Sequence, residues 1–296
     1  MATVGFIGLG VMGLPMTRNI IGGGHTVRGF DLSDDARAQH EANGGVAVAS
    51  SAEAAQGVDL LITMLPNGAI VRDALLGADG ALQSLSADAL HIDMSTIHPL
   101  ECDEIRSALS ERGHQSIDAP VGRTSVQAID GTLLVMAGGT PEQIERARAV
   151  LMCMGDTVVD CGGPGMGARM KIINNLMSTV VNALTAEALT LADSLGLSRD
   201  LAIDVMSGTA AGRGHMTTTY PGKVLSNDLS PVFMVDLARK DLGIAMAVGQ
   251  RTGVTQTLAA AAALVYDEAQ ANNRGAQDWT SLYAMLRKKH LHEDTI

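Results

Sequence analysis

The sequence predicts an α/β chain: a Rossmann-type doubly wound, mostly parallel sheet, followed by an all-α C-terminal domain joined through a long helix. Three observations predict it. Gly8, Gly10 and Gly13 directly follow an apolar run at the start of the chain. Up to about residue 163, short strand-like runs alternate with helix-like segments, the pattern of a parallel sheet covered on both faces. Past the glycine cluster Gly162, Gly163, Gly165 and Gly167 the alternation stops and helical periodicity takes over. Domains are therefore expected at 1–163 and 164–296.

Eight strands are expected in order: Thr3 to Ile7, Thr26 to Asp31, Val46 to Val48, Leu60 to Leu65, Ala89 to Asp93, Gln115 to Asp118, Thr132 to Ala137 and Thr157 to Asp160. The first six suit the doubly wound sheet, and the last two read as an extension of it. Met170 to Leu195 then keeps helical periodicity without Pro or Gly for about seven turns, so one helix is expected over about 168–195. Beyond Gly196 the chain reads as helices broken at Gly208 to Gly214, Pro221, Ser230-Pro231, Gly253 and Asn272 to Gly275. The run Ala259 to Ala263 reads as a face where helices approach closely.

Composition narrows the function classes. The 296 residues carry a formal charge of −11 and only three Phe, three Tyr and one Trp. Such a chain lacks the cationic surface and the stacking platforms that nucleic-acid binding needs. No apolar run approaches the ~18 residues of a membrane span. The N-terminal apolar stretch is broken by glycines and has no basic residue before Arg18, unlike a secretory signal. Cys102, Cys153 and Cys161 are widely spaced, without a CxxC pair or a companion His at ligand spacing. They read as small buried apolar residues rather than as a disulfide framework, a nucleophile or a metal site. A cytoplasmic protein without a metal fits best.

The glycine triplet has GxGxxG spacing in strand-turn-helix context. Gly8 suits the tight turn, Gly10 the approach of backbone to a pyrophosphate, and Gly13 the packing of helix on strand, with Val11 and Met12 offering amides. Asp31 ends the second strand 18 residues after Gly13, near the spacing of about 20 at which a carboxylate holds the ribose hydroxyls. That charge repels a 2′-phosphate, and only Arg28 and Arg37 are near enough in sequence to offset it, so NADH is expected over NADPH. Leu65-Pro66 and Thr96 close the fourth and fifth strands, where open α/β sheets bind ligands.

The segment Gly162 to Asn175 is not a P-loop, because no Gly-Lys-Ser/Thr follows its glycines. It opens a helix carrying Lys171 and Asn175 one turn apart, with Asn174 and Ser178 repeating that spacing. Reduction of an aldehyde leaves an alkoxide that needs a proton, and a desolvated Lys171 suits the donor's part, with Asn175 orienting it.

In GFIGLGVMGLPM, MLP, DMST, DAPV, GPGMGARMKIINN and FMVDLARKDLGIA the chain resembles the β-hydroxyacid dehydrogenase family over essentially its whole length. The resemblance implies Lys171 as catalytic acid/base, Lys240 reaching into the closed site beside cofactor and substrate, and a homodimer or homotetramer. It also exposes a departure. After DAPV the family usually has Ser-Gly-Gly, whose amides receive a carboxylate, whereas this chain has Gly122-Arg123-Thr124-Ser125. A tetrahedral anion profits from an added guanidinium fork, which points to a sulfonate.

The segments GRTSVQAIDGTLLVMAGG, INN, SGTAAGRGH and RGAQDW are similar to a branch of the family acting on a sulfonated aldehyde. By that likeness Gly122, Arg123 and Thr124 bind the sulfonate, and Asn174, Asn175, Ser178 and Lys240 hold the rest of the substrate. An aldehyde bearing a carboxylate is the alternative, and a non-catalytic NAD-binding regulator the remote one. His215 is expected in a surface loop, Trp279 as a packing anchor, and Asp236 as a helix partner of Lys240.

Overall fold

The structure, a computed structural model, describes residues 1–194, 196–208, 214–252 and 257–291. Leu195, most of the SGTAAGRGH segment and the expected break at Gly253 lie outside them. The chain divides into two compact units, Met1–Lys171 and Ile172–Ile296. The division falls inside a helix rather than in the glycine cluster before it.

In the first unit the strands are β1 Thr3–Ile7, β2 Thr26–Phe30, β3 Val46–Ala47, β4 Leu60–Thr63, β5 Leu90–Asp93 and β6 Gln115–Asp118. They form one parallel sheet in the order β3-β2-β1-β4-β5-β6. The covering helices are α1 Gly13–Gly22, α2 Asp34–Ala42, α3 Ser51–Ala55, α4 Gly68–Leu76 and α5 Pro99–Ser110. Alternate strand residues feed two cores: Val4, Phe6, Leu60, Ile62, Leu90 and Ile92 on one face, Ile7 and Leu61 on the other. All of these are essentially inaccessible. Each contributes roughly 1.5–3 kcal/mol relative to an exposed position, which is why the strands read as continuous apolar runs.

The expected extension of this sheet is instead a second sheet. β7 Val121–Gly122 runs antiparallel to β8 Leu133–Ala137, which runs parallel to β9 Gly155–Asp160. Helices α6 Ser125–Asp130 and α7 Pro141–Met154 connect them. Pro120 has no N–H to continue a ladder, so pairing ends at β6 and restarts one residue later on a new partner. Backbone bonds between Asp118 and Gly138 stitch the two sheets together.

Helix α8 spans Met166–Ser194 and begins two residues before the expected start. The Asp118 carboxylate accepts from the amides of Gly165 and Ala168, each at 2.6 Å, and so caps the helix from another strand.

The second unit continues with α9 Arg199–Ser207, α10 His215–Thr218, α11 Val235–Thr252, α12 Thr257–Ala271 and α13 Ser281–Leu291. Ala259, Ala262, Ala263 and Tyr266 line the buried side of α12, as the alanine run suggested. The scarce aromatics concentrate in this core. Tyr220, Tyr266 and Tyr283 are fully buried, and the Tyr220 and Tyr266 hydroxyls donate to the carbonyls of Asn182 and Thr179.

Candidate active site

At the carboxyl ends of β1 and β2 the glycines divide their duties. Gly8 has φ 103°, and a Cβ there would overlap the carbonyl oxygen of Met64. A Cβ on Gly13 would overlap the carbonyl oxygen of Gly8, so α1 packs against β1 only because no side chain intervenes. Gly10 differs: no atom lies within 4 Å of where its Cβ would be. Among the described residues nothing beyond its chain neighbours crowds that position, whereas a pyrophosphate lying on the backbone would. The start of α1, beside exposed Val11 and half-buried Met12, has no side-chain cap. Its orphan amides suit an anion.

Asp31 follows β2, and its carboxylate accepts from the Leu9 amide at 2.7 Å and the Ser33 amide at 2.9 Å. It is thus held against the glycine loop with lone pairs to spare for a diol. Both nearby cations are engaged. Arg28 donates to the Glu53 carbonyl at 3.0 and 3.2 Å, and Arg37 to the Asp31 carbonyl and the Asp34 carboxylate. Together these features fit a dinucleotide.

The next strand ends rest on a buried polar chain that the sequence reading passed over. Ser116 Oγ lies 2.9 Å from His91 Nδ1, His91 Nε2 lies 3.0 Å from Thr63 Oγ1, and Thr63 Oγ1 donates to Asp93 at 2.9 Å. Because the Thr63 hydroxyl gives its only proton to Asp93, it must accept from His91 Nε2–H. Ser116 then donates to Nδ1. The His91 ring is neutral in this arrangement, and burial lowers its pKa to about 3. Burial also raises Asp93 to about 6, against the hydrogen bonds from Ser95 and Thr63. Ser95 Oγ in turn accepts from the Leu65 amide at 2.9 Å. The chain therefore positions the loop carrying half-buried Leu65 and exposed Pro66, next to half-buried Thr96.

On α8, half-buried Lys171 and buried Asn175 stand one turn apart. Asn175 Nδ2 donates to Asp241, which is 3% exposed, and Lys240 Nζ lies 3.0 Å from the other oxygen of that carboxylate. The second unit thus joins Asn175 and Lys240 through Asp241. Asp241 had no assigned part in the sequence reading; it lies 66 residues from Asn175, beyond any local pattern. With Nδ2 committed, Asn175 offers its Oδ1, which Asn174 Nδ2 approaches at 3.3 Å. Asn174 is exposed and Ser178 half-buried.

One expectation is corrected in this unit, that of His215. Asp236 accepts from Gln270 Nε2 at 2.7 Å, which ties the start of α11 to α12. His215 is not a surface residue: it is 8% exposed, sits edge-on to Trp279 at 4.7 Å, and its Nε2 lies 2.7 Å from the Ser178 carbonyl. Burial lowers its pKa, so it packs as a neutral ring. Trp279 is the packing anchor expected, with Phe233 edge-on at 4.9 Å.

After β7, which contains buried Gly122, Arg123 adopts φ 74°, a left-handed conformation uncommon for a side chain of this size. Its Nη1 donates to the Thr132 carbonyl and, at 2.6 Å, to Asp156. The Thr124 amide and hydroxyl both donate to Gln127 Oε1, at 3.1 and 2.8 Å. Thr124 therefore spends its donors within its own helix cap.

Burial raises all three cysteine thiols, Cys102 most strongly, which disfavours thiolates. Among the described residues no group of three His, Cys, Asp or Glu is placed to hold a metal, and no helix is long and apolar enough to cross a membrane.

Comparison with known proteins shows the family and the fold. Residues 3–163 match the NAD-binding domain of 6-phosphogluconate dehydrogenase, and residues 165–286 match the NAD-binding domain of NADP-dependent 3-hydroxyisobutyrate dehydrogenase. The chain is 52% identical to the 3-sulfolactaldehyde reductase of Escherichia coli over 97% of this chain and 96% of that protein. It is 36% identical to a probable 3-hydroxyisobutyrate dehydrogenase of Mycobacterium tuberculosis over 98% and 99% of the two chains. A solved structure of the M. tuberculosis 3-hydroxyisobutyrate dehydrogenase with L-serine superposes with a TM-score of 0.89, covering 97% of this chain and 99% of that one at 36% identity.

Proposed function

Since the chain belongs to the β-hydroxyacid dehydrogenase family, and is thereby an NAD-binding oxidoreductase acting on CH–OH groups, we propose that it reduces 3-sulfolactaldehyde to 2,3-dihydroxypropane-1-sulfonate with NADH, within organosulfonate breakdown. The observation that carries this reading is Arg123, a guanidinium held in a backbone conformation that favours glycine. Its support from similarity is the reductase sharing 52% of its residues.

NADH supplies the hydride. Gly8, Gly10 and Gly13, with the amides at Val11 and Met12, hold the pyrophosphate, and Asp31 takes the ribose hydroxyls. Leu65, Pro66 and Thr96 line the strand ends beside the cofactor. The preference over NADPH follows from Asp31 itself and from the engagement of Arg28 and Arg37 elsewhere. Arg123 binds the sulfonate, with Gly122 and Thr124 shaping the turn around it. Lys171 gives its Nζ proton to the oxygen left on the reduced carbon. Asn175, fixed by Asp241, presents Oδ1 to that ammonium or to the substrate hydroxyl. Asn174, Ser178 and Lys240 hold the remainder of the substrate.

Steady-state kinetics with 3-sulfolactaldehyde, succinic semialdehyde and methylmalonate semialdehyde, each with NADH and NADPH, tests the assignment. The expected result is a kcat/KM for the sulfonate with NADH at least tenfold above every other pairing. A higher value for either carboxylate would replace the sulfonate reading with that of a hydroxycarboxylate dehydrogenase.

Homo-oligomeric assembly, as dimer or tetramer, is part of the same proposal. Met177 and Leu184 on α8, and Leu201 and Val205 on α9, are all more than half exposed and form apolar rows that a second copy would cover. Light scattering is expected to give at least twice the 30.7 kDa of one chain; a monomer at micromolar concentration would contradict it.

A further inference from the structure

The second sheet contains one irregularity, and it lies beside Arg123. Leu133 pairs with Gly155 and Leu134 with Thr157, so Asp156 is the extra residue of a β-bulge. A bulge re-aims one side chain out of the regular alternation of a strand. Here the re-aimed side chain is a carboxylate that meets the guanidinium arriving from the end of β7.

Asp156 is itself anchored, its Oδ1 accepting from the Thr157 hydroxyl at 2.7 Å while Oδ2 accepts from Arg123. Hydrogen bonds from Arg123 and Thr157 hold its carboxyl below the usual range, so it is charged at neutral pH. The bonds from Arg123 to Asp156 and to the Thr132 carbonyl fall on one side of the fork. They use Nη1 alone and leave the donors of Nε and Nη2 for another acceptor. An Nε–Nη2 edge is the planar pair that engages two oxygens of an oxyanion at once.

We propose that Asp156 is a positioning residue for substrate specificity: borne on the bulge, it grips Arg123 by one nitrogen and presents the remaining edge to the substrate's anionic headgroup. This rests on the reading that Arg123 binds that headgroup. A carboxylate near an anion also repels it, and the two effects oppose. Both side chains are partly exposed, at 38% and 46%, so solvent and salt weaken the repulsion. Immobilising a four-rotor side chain in advance suffers no such screening, and positioning outweighs repulsion.

The test is a double-mutant cycle on the full-length enzyme with Arg123→Ala, Asp156→Ala and their combination. Its readout is the ratio of kcat/KM for 3-sulfolactaldehyde to that for glyceraldehyde, which carries a hydroxyl in place of the sulfonate. Asp156→Ala is expected to lower this ratio about fivefold to tenfold, mainly through KM. In the Arg123→Ala background the same substitution is expected to change it by less than twofold. Asp156→Asn, which keeps an acceptor for Nη1, should restore part of the loss.

A ratio that is unchanged or rises in Asp156→Ala, or a fall that persists without Arg123, overturns the proposal. The two readings fail separately. If a carboxylated aldehyde is the better substrate, the cycle run with it still shows the coupling. If Arg123→Ala lowers the ratio and Asp156→Ala does not, only the positioning role is lost.

Discussion

Lys171→Ala is expected to reduce kcat for aldehyde reduction by about 10³-fold, within the ~10²–10⁴-fold range of a positioned general acid. An alkoxide formed by hydride arrival must take a proton, and in the proposed function half-buried Lys171, one helical turn from Asn175, gives it. The loss should fall on kcat, because the interaction is made with charge that develops only in the transition state. Stopped-flow measurement of NADH oxidation under single-turnover conditions isolates the chemical step. Titration with NAD reports whether the glycine loop and Asp31 still bind. A variant that binds NAD and retains more than a tenth of the wild-type rate would remove Lys171 from the role of acid.

Arg123→Gly separates specificity from stability. Left-handed backbone costs a side-chain-bearing residue about 1–2 kcal/mol, which glycine avoids, although glycine returns roughly 0.4–1 kcal/mol to the unfolded chain. The ion pair with Asp156 is more than a third exposed on both sides, so solvent screens it and its loss is a minor effect. These contributions nearly cancel, so the thermal midpoint should move by only a few degrees. A hydrogen bond to a charged group is worth roughly 1.5–3 kcal/mol, so kcat/KM for the sulfonated aldehyde should fall about tenfold to a hundredfold. Calorimetry and steady-state kinetics on the same preparation decide the matter. Undiminished kcat/KM on the sulfonate would show that the guanidinium does not touch the headgroup.

The parts legible from sequence are those whose physics is local. Gly8, Gly10 and Gly13 sit within six residues, so their spacing marks a strand-turn-helix loop, although the carbonyl that excludes a side chain at Gly8 comes from distant Met64. Asp31 follows because one helix and one strand separate it from them. Lys171 and Asn175 share a helix face by periodicity alone. The six parallel strands and the helical second unit were visible as alternating and then uniform periodicity.

What escaped that reading depends on pairings made at long range. β7 is two residues long, too short for any pattern, and exists because Leu134 and Val135 present a free ladder to it. His91 and Asp93 become one hydrogen-bonded chain only when β4, β5 and β6 lie side by side. His215, flanked by glycine, reads as loop and is buried because Trp279 and the Ser178 carbonyl close over it.

Residue order alone determined the cofactor-binding topology, the helical character of the second unit and the placing of Lys171 and Asn175 on one helix face, since a turn, a cap and a helix face are properties of contiguous chain. Folding alone could decide which carboxylate steadies Asn175, which one grips Arg123 and how many donors each leaves open. Those pairs lie 66 and 33 residues apart, and a charged side chain takes as its partner whichever group the packed backbone delivers.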